Sequence, residues 1–181
     1  SFLSINCKQF LSIPLLDRKE EDYINPYENG WEERYYKILF KVDIDDNRRR
    51  QICVNYLEGL EWTFKYYTEG CVDWRWTYEY EYPPLLTDLS KYIPYFDTTF
   101  VTNRDSLPVS PLVQLSYVLP GCSLSLLPKP VMNALLEKYP ECYSDHHDLC
   151  WAFCKYFWEA HALMPRIPLD KLEILVEKNK V

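Results

Sequence analysis

Apolar residues recur at intervals of three and four along several stretches of this chain, and those stretches predict helices. The clearest runs from about Asn47 to Tyr67. Ile52, Tyr56, Leu60, Phe64 and Tyr67 keep helical spacing, and Cys53, Leu57 and Trp62 widen the stripe. Asp45 or Asp46 is placed to cap the first turn, and Gly70 to end the helix in a left-handed turn. Gly59 lies inside the helix, where it costs about 1 kcal/mol against alanine. The expectation is that another backbone packs close at that point.

Shorter periodic stretches predict further helices. Trp31–Phe40 carries Trp31, Tyr35, Ile38 and Leu39, and Leu112–Leu119 is apolar and stops near Pro120-Gly121. Pro130–Lys138 has its proline in the first turn, where no backbone N–H is needed. Asp145–Ala162 reads as a second long helix with Trp151, Phe153, Phe157 and Trp158 on one side, and Leu169–Glu177 as a last short one. Residues 1–30 read as a connector, because Leu15–Asp22 changes from apolar to charged and Asn25-Pro26 and Asn29-Gly30 are turn signals. Pro83, Pro84, Pro94, Pro108 and Pro111 predict an irregular path between the helices, with one short hairpin near Trp74–Tyr82. The fold class expected is mainly α with irregular proline-rich loops, residues 31–181 forming one helical domain.

Composition narrows the picture. A chain of 181 residues fits one domain and can bury a core. No apolar run approaches the roughly 20 residues of a membrane span, so no membrane partner is expected. The seven cysteines (Cys7, Cys53, Cys71, Cys122, Cys142, Cys150 and Cys154) are odd in number, and two sit inside expected helices among apolar neighbours. They read as reduced, buried thiols of an intracellular protein, cytoplasmic or nuclear. The formal charge of −7 argues against a large nonspecific nucleic-acid surface within the chain. It leaves room for a few stacking contacts to RNA held by a basic partner.

Candidate chemistry is sparse. Asp43, Asp45 and Asp46 are the densest acidic group, and before Arg48-Arg49-Arg50 they read as a helix start and not as a metal site. Cys142, His146, His147, Cys150 and Cys154 resemble a zinc-ligand list. On a helix, however, ligands eight residues apart stand about 12 Å apart, too far for one ion. No nucleophile arrangement is convincing, and four glycines, at 30, 59, 70 and 121, cannot build a phosphate-binding loop.

Three blocks then stand in a recognisable order. The first is Gly30-Trp31-Glu32-Glu33-Arg34-Tyr35-Tyr36. The second is Tyr56-Leu57-Glu58-Gly59-Leu60-Glu61-Trp62 followed by Tyr66-Tyr67, Gly70-Cys71, Trp74-Arg75-Trp76 and Tyr82-Pro83. The third runs from Val109-Ser110-Pro111 through Gln114-Leu115, Val118-Leu119-Pro120 and Leu126-Leu127-Pro128 to Trp158-Glu159-Ala160 and Leu163-Met164-Pro165. Together they resemble the second conserved region of the XRN family of 5′→3′ exoribonucleases. Glu81 stands where the family usually has a histidine, Arg166-Ile167-Pro168 replaces Phe-Ile-Asp, and Tyr143–Tyr156 replaces a polar stretch.

The resemblance implies a helical part of a larger α/β nuclease core, wrapped against the family's first conserved region on the same gene or a separate chain. It implies RNA with a 5′-monophosphate as substrate. It also implies Mg²⁺ held by clustered carboxylates of that other region, with no cofactor and no catalytic residue in this chain. Trp74 and Trp76 become candidates for stacking on RNA bases, a sequence-tolerant contact, or are core indoles packed on Tyr66, Tyr78 and Tyr80. Arg34 and Arg75 are candidate phosphate contacts, or pair with Glu32, Glu33 or Asp73. Two functions follow. One is the C-terminal part of an exoribonuclease core that buttresses the active site and helps line the RNA channel. The other is a catalytically inert structural or interaction module descended from it.

Overall fold

Apolar spacing places most of the helices, and the longest also carries a side-chain cap at its start. A computed structural model of the chain describes residues 18–180 apart from Asn103, Asp105 and Asp145. Cys7 and the Leu15–Asp17 part of the expected connector lie outside the described residues. The chain divides into two units, Ser1–Leu107 with Trp151–Ala160, and Pro108–Cys150 with His161–Val181.

The first unit holds α1 (Lys19–Ile24), α2 (Trp31–Leu39), α3 (Asp46–Thr68) and α4 (Leu86–Tyr92). Asp45 caps α3 by accepting the Arg48 N–H at 2.8 Å, and Gly70 follows it at φ 100°. Both features meet the expectation from sequence. α1 falls inside the expected connector, and it buries Ile24 completely. Arg34 ties this segment to α2: its guanidinium donates to the carbonyls of Ile24 and Asn29 at 3.0 and 2.9 Å and of Asn25 and Glu28 at 3.3 Å each. α4 lies in the stretch expected to be irregular, after Pro83-Pro84. Leu89 anchors it beside Cys53 and Leu57 of α3, with Tyr56, Tyr92 and Phe100 around them.

Tyrosine hydroxyls hold the proline-rich path in place. Tyr35 donates to the Pro83 carbonyl at 2.9 Å, Tyr78 to the Tyr82 carbonyl at 2.7 Å and Tyr82 to the Ala152 carbonyl at 3.1 Å. Each satisfies a backbone oxygen that no helix or strand pairs. Tyr36 reaches the buried Asp88 carboxylate at 2.9 Å and also accepts the Leu85 N–H at 3.2 Å. Asp88 further meets Arg49 Nε at 3.2 Å and Lys91 Nζ at 2.8 Å. Burial and this carboxylate push the Tyr36 phenol well above its ordinary range, and burial lifts Tyr35 to about 12.

The second unit holds α5 (Pro111–Val118), α6 (Lys129–Lys138), α7 (Leu169–Asn179) and 3₁₀ turns at Gly121–Leu126 and Pro140–Tyr143. Two-residue strands β1 (Leu149–Cys150) and β2 (His161–Ala162) pair antiparallel, Leu149 opposite Ala162 and Cys150 opposite His161. Val113, Leu124, Val131, Leu135, Leu172 and Val176 make its core, each at most 1% exposed. Tyr143 closes it by donating to the Ser116 carbonyl at 2.6 Å. At Gly121 an added Cβ would lie 2.1 Å from the Tyr143 carbonyl oxygen. Gly121→Ala is therefore expected to cost about 1–3 kcal/mol of stability in urea unfolding, through forced backbone movement. An unchanged midpoint would refute that close approach.

The helix expected over Asp145–Ala162 does not form. Asp145 itself lies outside the described residues; from His146 on, the chain makes β1, an irregular excursion, a 3₁₀ turn at Phe157–Glu159, and β2. The backbone is turned away from helix at Phe153, whose φ is +62°. The Lys155 and Tyr156 N–H groups bond to the Glu159 carboxylate at 2.7 and 3.1 Å instead of to carbonyls four residues back. Local side-chain acceptors have outcompeted the helix ladder. The cysteine–histidine list is therefore not on one helix. The Cys142 thiol points to the Pro165 carbonyl and the Cys154 thiol to those of Glu159 and Ala152.

Candidate nucleic-acid interface

Residues Cys71–Tyr82 follow α3 as an aromatic loop. No hairpin forms there, contrary to the sequence expectation, because side chains take its N–H groups. Trp74 donates to Ser106 Oγ at 2.7 Å, Arg75 to Asp73 Oδ1 at 2.8 Å and Glu79 to Asn55 Oδ1 at 3.0 Å. Asp73 is the hub. It is 4% exposed, accepts the Ser106 hydroxyl at 2.8 Å and stands 3.9 Å from Arg104. Its carbonyl accepts the Trp62 indole N–H at 2.9 Å. Burial alone would raise its pKa, yet hydrogen bonds from Arg75 and Ser106 and the charges of Arg104 and Arg75 hold it below the ordinary carboxylate value.

The two tryptophans separate. Trp76 lies against α3, stacked on Trp62 with ring centroids 6.0 Å apart, and Trp62 stacks in turn on Tyr66 at 5.3 Å. The group that packs at Gly59 is this indole: an added Cβ would meet Trp76 Cη2 at 2.7 Å. That corrects the expectation of a second backbone there. A flat ring approaches a helix closely only where a side chain is missing. Trp74, at the turn, is 50% exposed. Its backbone is pinned while its indole faces solvent.

The candidate arginines separate too. Arg34 spends its donors on the four carbonyls of the Ile24–Asn29 segment. Arg75 donates Nε to the Leu107 carbonyl at 3.2 Å and stays next to Trp74 on the loop. Arg104, which sequence reasoning did not single out, brings a side chain that is 76% exposed to the same Asp73 hub.

A second exposed aromatic site lies in the stretch where apolar spacing predicts the Asp145–Ala162 helix, which hides it from a reading of the sequence. Tyr156 and Trp158 stack with centroids 4.1 Å apart and planes 12° apart, and Lys155 Nζ lies 5.2 Å from the Tyr156 centroid. Trp158 is 62% exposed. The carboxylate of Glu159 fixes the turn beneath them. The sequence signal was present as Tyr-x-Trp-Glu, since an acidic residue at the third position of a turn caps it.

The acidic residues make a poor donor set for a divalent cation. The two most buried, Asp73 and Asp88, are already matched to cations and N–H or O–H donors. Among the described residues no three His, Cys, Asp or Glu side chains are grouped to hold a metal. Nor is any helix among them long and apolar enough to cross a membrane.

Comparison with known proteins agrees with the fold and its motifs. The family model described as the Xrn1 helical domain matches residues 8–180. The 5′–3′ exoribonuclease 2 of Gallus gallus is 34% identical over 166 residues, covering 87% of this chain and 17% of that protein. The same enzyme of Saccharomyces cerevisiae is 32% identical over 157 residues, covering 84% and 15%, and that of Schizosaccharomyces pombe 31% over 166 residues, covering 90% and 16%. The chain thus spans about one sixth of the length of the curated relatives it matches. With a mainly helical fold, the ordered motif blocks and a family match over nearly its whole length, this chain belongs to the XRN family, as its helical domain.

Proposed function

We propose that this domain serves in 5′→3′ exoribonucleolytic decay, buttressing an active site built by another segment and helping line the path of the RNA. The observation that carries the reading is Trp74: a half-exposed indole on a loop whose backbone is fixed by Asp73 and Ser106. A rigid, solvent-facing ring accepts any base by stacking, which an enzyme that degrades every sequence needs. Arg75 and the exposed Arg104 supply positive charge beside it for the phosphate backbone. Trp158, backed by Tyr156 and Lys155, offers the same chemistry. Trp76 serves to brace the loop, and Arg34 to brace the Ile24–Asn29 segment. The substrate is RNA with a 5′-monophosphate. Mg²⁺, which would activate water and stabilise the leaving oxygen, is held by carboxylates outside this chain.

The test is decay of 5′-monophosphate RNA by the intact protein with Mg²⁺. Trp74→Ala is expected to weaken RNA binding by about 1–3 kcal/mol, roughly 5- to 150-fold, and to leave the urea midpoint unchanged. Equal affinity in the variant would end the stacking role. A second reading, a catalytically inert scaffold, draws support from the net charge of −7 and from Glu81 at the family's histidine position. Absence of any Mg²⁺-dependent decay by the intact protein would favour it.

A further inference from the structure

Within the second unit, α6, α7 and the residue after α6 border a cavity of about 580 Å³ that the RNA reading does not use. Lys171, Ile174, Leu175 and Lys178 line it from α7. Their i, i+3, i+4, i+7 spacing puts them on one stripe, beside the core-facing Leu172 and Val176. Lys138 and Tyr139 line it from the end of α6, with Glu137 as the one carboxylate. Ile174 is 69% exposed, a large aliphatic group with no cover.

The charge there runs against the chain as a whole, which carries −7. Lys138, Lys171 and Lys178 have no carboxylate partner among the described residues, whereas neighbouring Lys180 pairs with Glu177. Lys138 and Lys178 sit in the last turns of α6 and α7, where a cation also offsets the carbonyl ends. Helix stability does not account for Lys171. It lies in the first turn of α7, where the helix dipole disfavours a cation. Three ammonium groups around an aliphatic floor make a site for an apolar group flanked by anions, and the volume lies in the range of ligand sites.

A nucleotide suits this floor poorly. The Asn179 amide, which could read a base edge, donates to the Leu175 carbonyl at 2.8 Å, and Tyr139 is the single lining ring. We propose that the cavity docks a short acidic segment of a partner protein. One apolar side chain of that segment sits on Ile174 and Leu175, and its carboxylates meet Lys138, Lys171 and Lys178.

The experiment is fluorescence polarisation of the intact protein with a panel of labelled ~12-residue peptides. Each carries one central Leu, Ile, Phe or Trp flanked by Asp and Glu, and each is matched by a peptide with Asn and Gln instead. At least one acidic peptide is expected to bind about tenfold tighter than its neutral match. Lys138→Glu/Lys171→Glu/Lys178→Glu should weaken it about tenfold again, and added salt should weaken it further. Ile174→Arg, a change at an exposed position, should weaken it without shifting the urea midpoint. No preference for acidic peptides, or an affinity untouched by the lysine substitutions, overturns the proposal. So does displacement of the peptide by single-stranded RNA, which would make this a further nucleic-acid surface.

Discussion

Asp88→Ala lowers the stability of the first unit by about 3 kcal/mol, the expected result when one member of a buried charge cluster is removed. Asp88 is 5% exposed and gathers Tyr36, Arg49 and Lys91. The three contacts are unequal. Lys91 is 60% exposed, so its pair is screened and contributes little. The Arg49 contact at 3.2 Å is ionic without a well-aligned hydrogen bond, since Arg49 Nε is buried and finds no hydrogen-bond acceptor. The Tyr36 bond at 2.9 Å is buried and aligned. Deleting the carboxylate takes the acceptor from the Tyr36 hydroxyl and leaves Arg49 paired only with the exposed Asp46 at 3.2 Å, so the cost exceeds that of any one bond. Tyr36→Phe, which removes the hydroxyl alone, should cost only about 1 kcal/mol.

A second readout accompanies the first. Burial, and then the Asp88 charge, push the neighbouring Cys53 thiol from 9.0 to about 11. The folded state favours the protonated thiol. That contribution to stability is fully present below pH 9 and is lost as the pH rises toward 11. Removing Asp88 takes away one of the two causes, so stability should decline less between pH 9 and 11 in Asp88→Ala than in the native chain. Urea unfolding at pH 7 and across that range measures both effects. A loss below about 1 kcal/mol at pH 7 would mean that the cluster is only a surface ion pair.

Trp76→Ala carries the other large effect, a loss of about 3 kcal/mol, at the lower end for deleting a buried tryptophan because this one is half-buried. The indole fills the notch at Gly59 and ends the Tyr66–Trp62–Trp76 stack. Removing it empties that notch and frees the loop that carries Trp74. RNA decay should fall with it, but together with the unfolding midpoint, whereas Trp74→Ala affects RNA alone. The reciprocal change, Gly59→Leu, fills the notch from the helix side and should displace the same ring. Wild-type stability in Trp76→Ala would show that the stack does not hold the loop, and would reopen Trp76 as an RNA contact.

These contrasts depend on information at different levels. The α3 helix, its Asp45 cap and its Gly70 stop were legible in the residues, because spacing, capping and a positive φ are local properties. So were α2, α5, α6 and α7, and the order of motif blocks that marks the XRN helical domain. α4 was hidden by the prolines before it, although two prolines ahead of a helix start do no harm to it. The stretch Asp145–Ala162 misled in the other direction. Its aromatics repeat at helical intervals, but Glu159 captures two backbone N–H groups and Phe153 takes a left-handed conformation, and periodicity contains neither fact. Trp74 and Trp76 are alike in sequence, two residues apart in one motif. They differ only because Gly59, fifteen residues upstream of Trp74, leaves room for one indole while Ser106 and Asp73 turn the other outward. Partners so far apart along the chain are chosen by packing, which no local pattern encodes, so the helices could be read from the sequence and the exposed ring only from the fold.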